Sequence, residues 1–256
     1  MSRIVMKFGG TSVGSVERIN HVAEIVRSEV DAQNQVVVVL SAMAGETDRL
    51  VNLTKELSKD FPVSEYDVVI SSGEQVSVGA LSGLLNSYGI KSKSLLGWQV
   101  PIVTSSDHKS ARIEAISSEI ILKLLGENNV VIIPGFQGIS VDGRITTLGR
   151  GGSDTSAVAI AASIDADFCD IYTDVDGVYT TDPNKVPNAK RLDKISYEEM
   201  LEMASLGAKV LQTRSVETAM NNDVFLRVLS SFSDAGKNKK GTLVCSEDSI
   251  SDKKIV

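Results

Sequence analysis

Short β-branched apolar runs alternate with longer amphipathic stretches throughout this sequence, and few folds accommodate that alternation. The apolar runs are bounded by Gly, Pro, Asn or Asp, and they occupy residues 4–8, 36–41, 130–134, 168–173 and 225–229. Largely continuous apolar runs indicate strands that are buried on both faces. We therefore predict an α/β fold, a three-layer sandwich in which a central, mainly parallel sheet is covered by helices on both faces.

The stretches between these strands predict helices, several of which open on a Ser or Thr cap. They cover residues 16–31, 47–59, 64–87, 110–125, 153–163, 196–206 and 213–221. Residues 136–147, with Asp142-Gly143 at their centre, predict a β-hairpin. From about residue 233 the chain turns polar and Lys-rich, which indicates a final short strand and a weakly ordered tail. No repeat or long linker divides the chain before that point, so one large domain is favoured.

The charge balance limits the kind of ligand that the protein can attract. The chain has 26 Lys and Arg against 33 Asp and Glu, a net charge of -7, which repels nucleic acid and anionic lipid surfaces. Any anionic ligand must be held by local cations and backbone N–H groups. Two cysteines without close spacing, and a start without a basic and apolar leader, favour a cytoplasmic location. We expect no protein-held metal site, because the two histidines are far apart.

A glycine pair follows the first predicted strand, in the segment KFGGTS. Ligands of open α/β sheets bind at the carboxyl ends of strands. Gly9 and Gly10 let the backbone approach a ligand closely, Thr11 and Ser12 add hydroxyls, and Lys7 adds a fixed positive charge. A glycine pair alone is equally typical of a plain strand-to-helix turn, but the adjoining lysine and hydroxyls favour a phosphate cradle.

A second Gly-rich segment, GRGGSD, leads directly into the apolar helix predicted at residues 153–163. Free N–H groups and the dipole at a helix N-terminus stabilise negative charge. Arg150 offers a bidentate fork for a carboxylate or phosphate, and Asp154 can orient a lysine or approach a metal. Taken alone, Asp154 is also typical of a simple favourable charge in the first turn of a helix.

Three further segments complete the candidate site. The loop TDVDGVYTTDP follows the predicted strand 168–173 and, taken alone, is typical of a turn-rich loop. Its predicted position beside two other Gly-rich strand ends makes it a candidate binding segment. The second segment, residues 41–47, follows the second strand. The third, SSGEQVS, places Glu74 in a predicted helix without an obvious polar face, and a buried carboxylate there requires a cationic partner.

Taken together, the strings KFGGTSVG, SAMAGETD, SSGEQVS, TLGRGGSDTSA, YTDVDGVYTTDP, GAKVLQTRSVE and GTLVC resemble the aspartate kinase family of the amino-acid-kinase (carbamate-kinase-like) fold. The resemblance implies transfer of the γ-phosphoryl group of ATP, with Mg²⁺, to the side-chain carboxylate of L-aspartate. The product would be 4-phospho-L-aspartate, the first intermediate of lysine, threonine and methionine biosynthesis. Because a carboxylate with a reference pKa of about 3.9 is already ionised at neutral pH, such a reaction needs no general base.

The resemblance also implies a role for each matching residue. Lys7 and Asp154 would be catalytic, the first stabilising the transferring phosphate and the second orienting the lysines or metal-bound phosphates. The amino-acid substrate would be bound by Ser41, Thr47, Glu74, Phe136, Arg150 and Ser153, with Arg150 on the α-carboxylate and Glu74 on the ammonium. The nucleotide would be bound by Lys7, Gly9, Gly10, Thr11, Thr173, Asp174, Tyr179 and Lys209.

Two features depart from the pattern of that family. Asn184 stands where many relatives have a basic residue that reaches the nucleotide, although Lys185 could replace it. Relatives also continue past GTLVC into a pair of small ACT domains that bind end-product amino acids. We therefore expect a catalytic domain over residues 1–245, with residues 246–256 as the start of a linker to absent ACT domains.

Several alternatives stay open at this point. A sister kinase of the same fold would act on glutamate or acetylglutamate, and a catalytically silent subunit would only bind a nucleotide. Glu74 with Arg150 favours a free amino acid over UMP. A silent subunit is disfavoured by the joint presence of Lys7, Asp154, Asp174 and Lys209. As partners we expect L-aspartate and ATP, a homo-oligomer (a dimer) or a regulatory subunit, and neither nucleic acid nor a membrane.

Overall fold

The computed structural model describes residues 1–183, 185–208, 210–232 and 241–250. Its strands are β1 (Arg3–Phe8), β2 (Gln35–Leu40), β3 (Ser92–Ser94), β4 (Ile102–Thr104), β5 (Ile113–Ile116), β6 (Val130–Pro134), β7 (Gln137–Ser140), β8 (Ile145–Thr147), β9 (Phe168–Thr173), β10 (Lys194–Ser196), β11 (Leu226–Ser230) and β12 (Thr242–Cys245). Its helices are α1 (Val16–Asp31), α2 (Glu46–Leu57), α3 (Val63–Ser87), α4 (Glu119–Gly126), α5 (Gly152–Ser163), α6 (Tyr197–Ser205) and α7 (Thr213–Asn221).

The main sheet has eight strands in the order β10-β12-β11-β9-β1-β2-β6-β3. Six neighbouring strands, from β11 to β3, run parallel, whereas β12 is antiparallel to β11 and parallel to β10. The strand β1 lies in the centre, with Lys7 opposite Val39 of β2 and Ile171 of β9. The carboxyl ends of β1, β2, β6 and β9 therefore meet at one edge of the sheet.

Alternate residues of the central strands pack into two separate hydrophobic layers. In β2, Val36, Val38 and Leu40 pack with α1 and α3 on one face. Val37 and Val39 of the same strand pack with α4, α5, α6 and α7 on the other. This two-sided burial is why the strands are apolar along their length, and it confirms the predicted three-layer α/β sandwich with a mainly parallel sheet.

A smaller sheet of four strands, in the order β5-β4-β7-β8, flanks the main one. The predicted hairpin is confirmed, since β7 and β8 pair antiparallel around Asp142-Gly143, where Gly143 has a φ of 78°. The helix α3 packs against β8, and α5 packs against β5 and β7, so the smaller sheet is held against the main domain.

The helix predicted at residues 110–125 is partly wrong. Residues Ile113–Ile116 form β5, which pairs with β4, and α4 begins only at Glu119. Pairing with β4, which the pattern within residues 110–125 does not record, overrides the helical spacing of the apolar residues. The three-residue strands β3, β4 and β10 were not predicted either, because they are too short to show periodicity. The final strand is confirmed as β12, while residues 233–240 and 251–256 of the predicted polar segment lie outside the described residues.

The helix α3 is long and apolar enough to satisfy the length and composition test for a membrane span. Half of its most apolar window is buried inside the domain, however, as expected for the core helix of a globular protein. In the described residues, α3 therefore serves as a core element that reaches the carboxyl edge of the sheet.

Candidate active site

A cavity of about 820 Å³ lies at the carboxyl edge of the main sheet. The ends of β1 and β2, the start of α5, the helix α3 and the end of β8 form its walls. Most of the residues predicted to bind phosphate and substrate line it: Lys7, Gly10, Thr11, Ser41, Thr47, Glu74, Phe136, Arg150, Ser153 and Asp154. The fold thus brings together segments that are up to 147 residues apart in the chain.

An ion pair occupies the floor of this cavity. Lys7 Nζ, from the end of the central strand β1, lies 2.6 Å from Asp154 Oδ1, and the side chains are 12% and 11% exposed. Asp154 belongs to the first turn of α5, where the helix dipole stabilises its charge. The carboxylate holds the lysine ammonium at a fixed point of the floor, where the ammonium can meet an incoming anion.

The glycine pair after β1 forms a tight turn against the segment that follows β2. A Cβ on Gly10 would lie 2.8 Å from the Ala42 carbonyl oxygen, so this contact requires glycine. The Ala44 N–H donates to the Gly10 carbonyl over 3.2 Å, which locks the two segments together. Thr11 is exposed at the cavity, whereas Ser12 is buried and its hydroxyl lies 2.7 Å from that of Ser231. Of the two hydroxyls in this turn, only that of Thr11 is available to a ligand.

The Gly-rich loop before α5 presents Arg150 at the rim of the cavity. Gly149 and Gly151, on either side of the arginine, have φ values of 77° and 69°, a region that favours glycine. No side chain of the described residues caps the first turn of α5. Backbone N–H groups of that turn are therefore available to an anion. The Ser41 hydroxyl donates to Ser153 Oγ over 3.0 Å, which joins this loop to the end of β2.

Phe136 lies at the junction of β6 and β7 with a φ of 70°. This left-handed backbone is unusual for a bulky residue and costs about 1–3 kcal/mol unless its surroundings impose it. The N–H of Phe136 donates to Ser156 Oγ over 3.1 Å, and its carbonyl accepts from the Leu148 N–H over 2.9 Å. These two bonds hold the strained residue in the cavity wall.

Glu74 is the most perturbed acid of the site. It projects from α3 and is 3% exposed; Oε1 accepts from the Ala42 N–H over 3.2 Å, and Oε2 is buried without a hydrogen-bond partner among the described residues. Burial raises the pKa of the Glu74 carboxyl to about 7, against the smaller effect of its backbone hydrogen bonds. A buried oxygen without a donor at the wall of a cavity suits a cationic ligand group.

A second cavity, of about 400 Å³, opens beyond the end of β9. It is lined by Thr173, Asp174 and Tyr179, as predicted, and by apolar residues of the α6 region. The Thr173 hydroxyl donates to Asp174 Oδ1 over 3.0 Å, and the Tyr179 hydroxyl donates to Asp176 Oδ1 over 2.9 Å. A half-buried ring with nearby hydroxyl and carboxylate groups offers contacts for a base and a sugar.

The sequence prediction missed several residues of the first cavity wall. Tyr66, Lys109 and Thr147 also line it. Tyr66 and Lys109 belong to segments that carry no glycine-rich or strand-end signature, so no local pattern marks them as site residues. Of the predicted residues, Gly9 lies in the turn beside the cavity, and Lys209 and Asn184 fall outside the described residues.

A sequence model of the amino acid kinase family matches residues 2–230 of the chain. The chain is similar to the aspartate kinase of Pseudomonas putida, with 55% identity over 244 residues that cover 95% of this chain and 58% of the relative. The crystal structure of aspartate kinase from Synechocystis superposes with a TM-score of 0.84 at 46% identity, covering 96% of this chain and 40% of that one. The resemblance to aspartate kinases and the fold class are thereby confirmed.

The crystal structure of Escherichia coli aspartokinase III in complex with aspartate and ADP (R-state) also superposes with a TM-score of 0.84. The identity is 32%, and the match covers 95% of this chain and 64% of that one. The chain spans 56–62% of the length of curated relatives such as the aspartokinases of Rickettsia prowazekii and Geobacillus stearothermophilus.

Proposed function

Because the chain belongs to the amino acid kinase family, we propose that it transfers the γ-phosphoryl group of ATP to the side-chain carboxylate of L-aspartate. The product is 4-phospho-L-aspartate, at the head of lysine, threonine and methionine biosynthesis. The similarity to aspartate kinases supports the reaction type, and E. coli aspartokinase III has been crystallised with aspartate and ADP.

The proposed choice of substrate depends on the charged groups that line the first cavity. Glu74 presents a buried carboxylate oxygen, without a hydrogen-bond partner among the described residues, in the same cavity as the cation Arg150 and the Lys7–Asp154 ion pair. A free amino acid with an acidic side chain supplies one ammonium and two carboxylates, one opposite charge for each of Glu74, Arg150 and Lys7. In this arrangement the ammonium pairs with Glu74, Arg150 takes the α-carboxylate, and the side-chain carboxylate faces Lys7.

The reaction requires little covalent chemistry from the protein. A side-chain carboxylate oxygen of the substrate attacks the γ-phosphorus, the bond to the β,γ-bridging oxygen breaks, and ADP leaves. The nucleophile is already ionised, so no general base is needed. Lys7 neutralises charge on the transferring group, and its bond to Asp154 holds it there before the substrates bind. The remaining task is to bring two anions together in the correct orientation.

The nucleotide occupies the second cavity, with its phosphates directed to the glycine turn of residues 9–10. Thr173, Asp174 and Tyr179 contact the ribose and base. The described residues contain no group of three or more His, Cys, Asp or Glu side chains that could hold a metal. This suits Mg²⁺, which keeps several waters and binds through one or two carboxylates plus substrate phosphates. In this proposal Asp154, at the first cavity, and Asp174, at the second, would supply those carboxylates, and the bound ion would neutralise phosphate charge.

The setting of the reaction is part of the same proposal. We place the enzyme in the cytoplasm, and we expect it to work as a dimer or with a regulatory subunit. Residues 1–245 form the catalytic domain in this proposal.

A coupled assay of ADP release tests the proposal. L-Aspartate with ATP and Mg²⁺ should give ADP and an acyl phosphate that hydroxylamine traps, whereas L-glutamate, N-acetyl-L-glutamate and UMP should not. Activity with another member of this panel would replace the substrate that we propose. ATP binding without ADP release would instead favour a silent subunit. Lysine and threonine are added in parallel, to measure whether either inhibits this chain.

A further inference from the structure

We propose that Lys109 is a further substrate-binding residue, which acts with Arg150 on the α-carboxylate of the amino acid, and that buried Asp67 is the residue that positions it. This inference rests on the proposed function and adds to it the residues that discriminate at the α-carboxylate. The carboxylate of Asp67 belongs to none of the predicted motifs.

Asp67 lies in the second turn of α3 and is completely buried. Both of its oxygens are saturated by groups from distant parts of the chain. The Thr147 hydroxyl donates to Oδ1 over 2.7 Å, and the Thr147 N–H donates to Oδ2 over 3.1 Å. The Lys109 N–H donates to both oxygens, over 3.2 and 3.1 Å, and His108 Nδ1 lies 2.7 Å from Oδ2. One carboxylate thus joins α3, the end of β8 and the loop before β5.

The loop that Asp67 holds is also attached to the segment that carries Arg150. The Ala111 N–H donates to the Thr147 carbonyl over 2.9 Å. A Cβ on Gly149 would lie only 3.0 Å from the Lys109 carbonyl oxygen, so the two backbones are in close contact. Lys109 therefore lies on the same side of the cavity as the arginine that follows Gly149.

The side chain of Lys109 faces the cavity, and its backbone has a strained conformation that neighbouring groups must hold in place. Lys109 has a φ of 67°, a left-handed conformation that lysine rarely adopts, and it is the bonds to Asp67 that hold this conformation in place. Its Nζ lies 4.2 Å from the centroid of the Tyr66 ring, and both residues line the cavity. The ring holds the ammonium at the wall while leaving the charge exposed to a ligand.

With Lys109 included, the charged side chains of the cavity match the ammonium and the two carboxylates of the substrate more closely. Lys7 is already paired with Asp154, and Glu74 takes an ammonium. Arg150 is exposed, so that a single arginine would hold the α-carboxylate weakly in water. A second cation on the same wall raises the preference for an α-carboxylate over a neutral group at that position.

The helix α3 carries both Asp67 and Glu74. Asp67 and Glu74 are seven residues apart on α3, which places them two helical turns apart on one face. Glu74 meets the ammonium directly, and Asp67 sets the wall that meets the α-carboxylate. The helix α3 would thus set the separation between the two groups that recognise the amino-acid end of the substrate.

The test compares L-aspartate with its α-amide, L-isoasparagine, which keeps the ammonium and the side-chain carboxylate but lacks the α-charge. In Lys109→Gln we expect the KM for L-aspartate to rise about threefold to tenfold, as for the loss of a solvent-screened charge contact. The KM for ATP, the kcat and the inhibition constant of L-isoasparagine should each change less than about twofold. Lys109→Arg should restore the KM for L-aspartate, and Lys123→Gln, an exposed change on α4, is the charge-matched control.

Asp67→Asn tests the positioning role. Asparagine keeps the volume but replaces one acceptor oxygen with an NH₂ group, which opposes the N–H donors of the loop. We expect the KM for L-aspartate to rise while the KM for ATP stays unchanged. In the double variant, which combines Asp67→Asn with Lys109→Gln, the KM for L-aspartate should exceed the higher of the two single-variant values by no more than about twofold. Once the charge at position 109 is absent, the positioning of that side chain no longer affects binding. Additive effects, or equal effects on L-aspartate and L-isoasparagine, would overturn the proposal.

The failure of this inference is distinguishable from failure of the proposed function. Wild type that turns over L-aspartate, with unchanged KM in both variants, overturns the inference alone. If wild type shows no turnover of L-aspartate, the proposed function fails, and calorimetric titration of the 256-residue chain with L-aspartate decides the inference. Weaker binding in Lys109→Gln than in wild type then supports it, whereas equal binding, or no binding to either, overturns it.

Discussion

Replacing Glu74 with Gln should increase the stability of the protein at alkaline pH while weakening its binding of L-aspartate. Burial raises the pKa of this carboxyl from 4.5 to about 7, and one of its oxygens has no donor in the described residues. A shift of this size corresponds to about 3 kcal/mol of unfavourable free energy when the group is ionised in the folded state. The amide keeps the acceptor for the Ala42 N–H but buries an unpaired NH₂ group, which costs about 1–2 kcal/mol.

The sign of the pH dependence follows from the two pKa values. Below pH 4.5 the carboxyl is protonated in both the folded and the unfolded state, so Glu74 causes no pH dependence there. As the pH rises through the window from 4.5 to about 7, the unfolded chain loses this proton first, and the free energy of unfolding falls. Above pH 7 the loss is complete. We therefore expect Glu74→Gln to exceed wild type in stability by about 1–2 kcal/mol at pH 8, and not at pH 4.5.

Urea denaturation at pH 4.5, 6 and 8, without ligand, measures this difference. Glu24→Gln, a change at an exposed position of α1, is the control for loss of an acidic charge. In the kinase assay, the aspartate affinity of wild type should rise about tenfold from pH 6 to pH 8, as Glu74 ionises and attracts the ammonium. Glu74→Gln should bind aspartate weakly and without this pH dependence. A variant that is less stable than wild type at pH 8, or that retains the pH dependence, would refute the electrostatic argument.

Three further substitutions test other parts of the site. Lys7→Ala should lower kcat by about a hundredfold or more with an unchanged circular dichroism spectrum, and near-normal turnover would contradict its assigned role. Gly10→Ala should lower the free energy of unfolding by about 1–3 kcal/mol in urea, because its Cβ would lie 2.8 Å from the Ala42 carbonyl oxygen. The control Gly79→Ala has open space at its Cβ and should not destabilise; equal effects would refute the packing argument. Tyr179→Phe, which loses a hydrogen bond to a neighbouring carboxylate, should raise the KM for ATP about threefold to tenfold and leave that for aspartate unchanged. A raised KM for aspartate would instead place the Tyr179 ring at the aspartate cavity and contradict its assignment to the nucleotide.

Much of the fold could be predicted because burial on two faces leaves a direct signal in the sequence. The strand β2 has five consecutive buried residues, and α1 and α7 begin and end where the amphipathic pattern predicts. The strand β5 could not be predicted in this way. Its four residues have the spacing of a helix, and they form a strand because β4 offers them a pairing edge.

The site shows the same division at the level of single residues. Lys7, Arg150 and Asp154 stand in glycine-rich segments, the first at the end of a parallel strand and the other two at the start of a helix, and these local signals marked them as candidate anion-binding residues. Ser12 looks equivalent to Thr11 in the sequence, but the turn after β1 points it at Ser231 and away from the cavity. Lys109 carries no local signal, because its place in the wall depends on a carboxylate from α3 that is 42 residues away.

The amino-acid sequence by itself determined the α/β class, the buried central strands and the chemistry available at their ends, because these depend on the residue types within a single segment. Only the tertiary structure decided which of those groups meet, how far Lys7 lies from Asp154, and that one Glu74 oxygen has no hydrogen-bond partner among the described residues. Distances and burial arise between segments that are far apart in the chain, and a local pattern of residues carries no record of them.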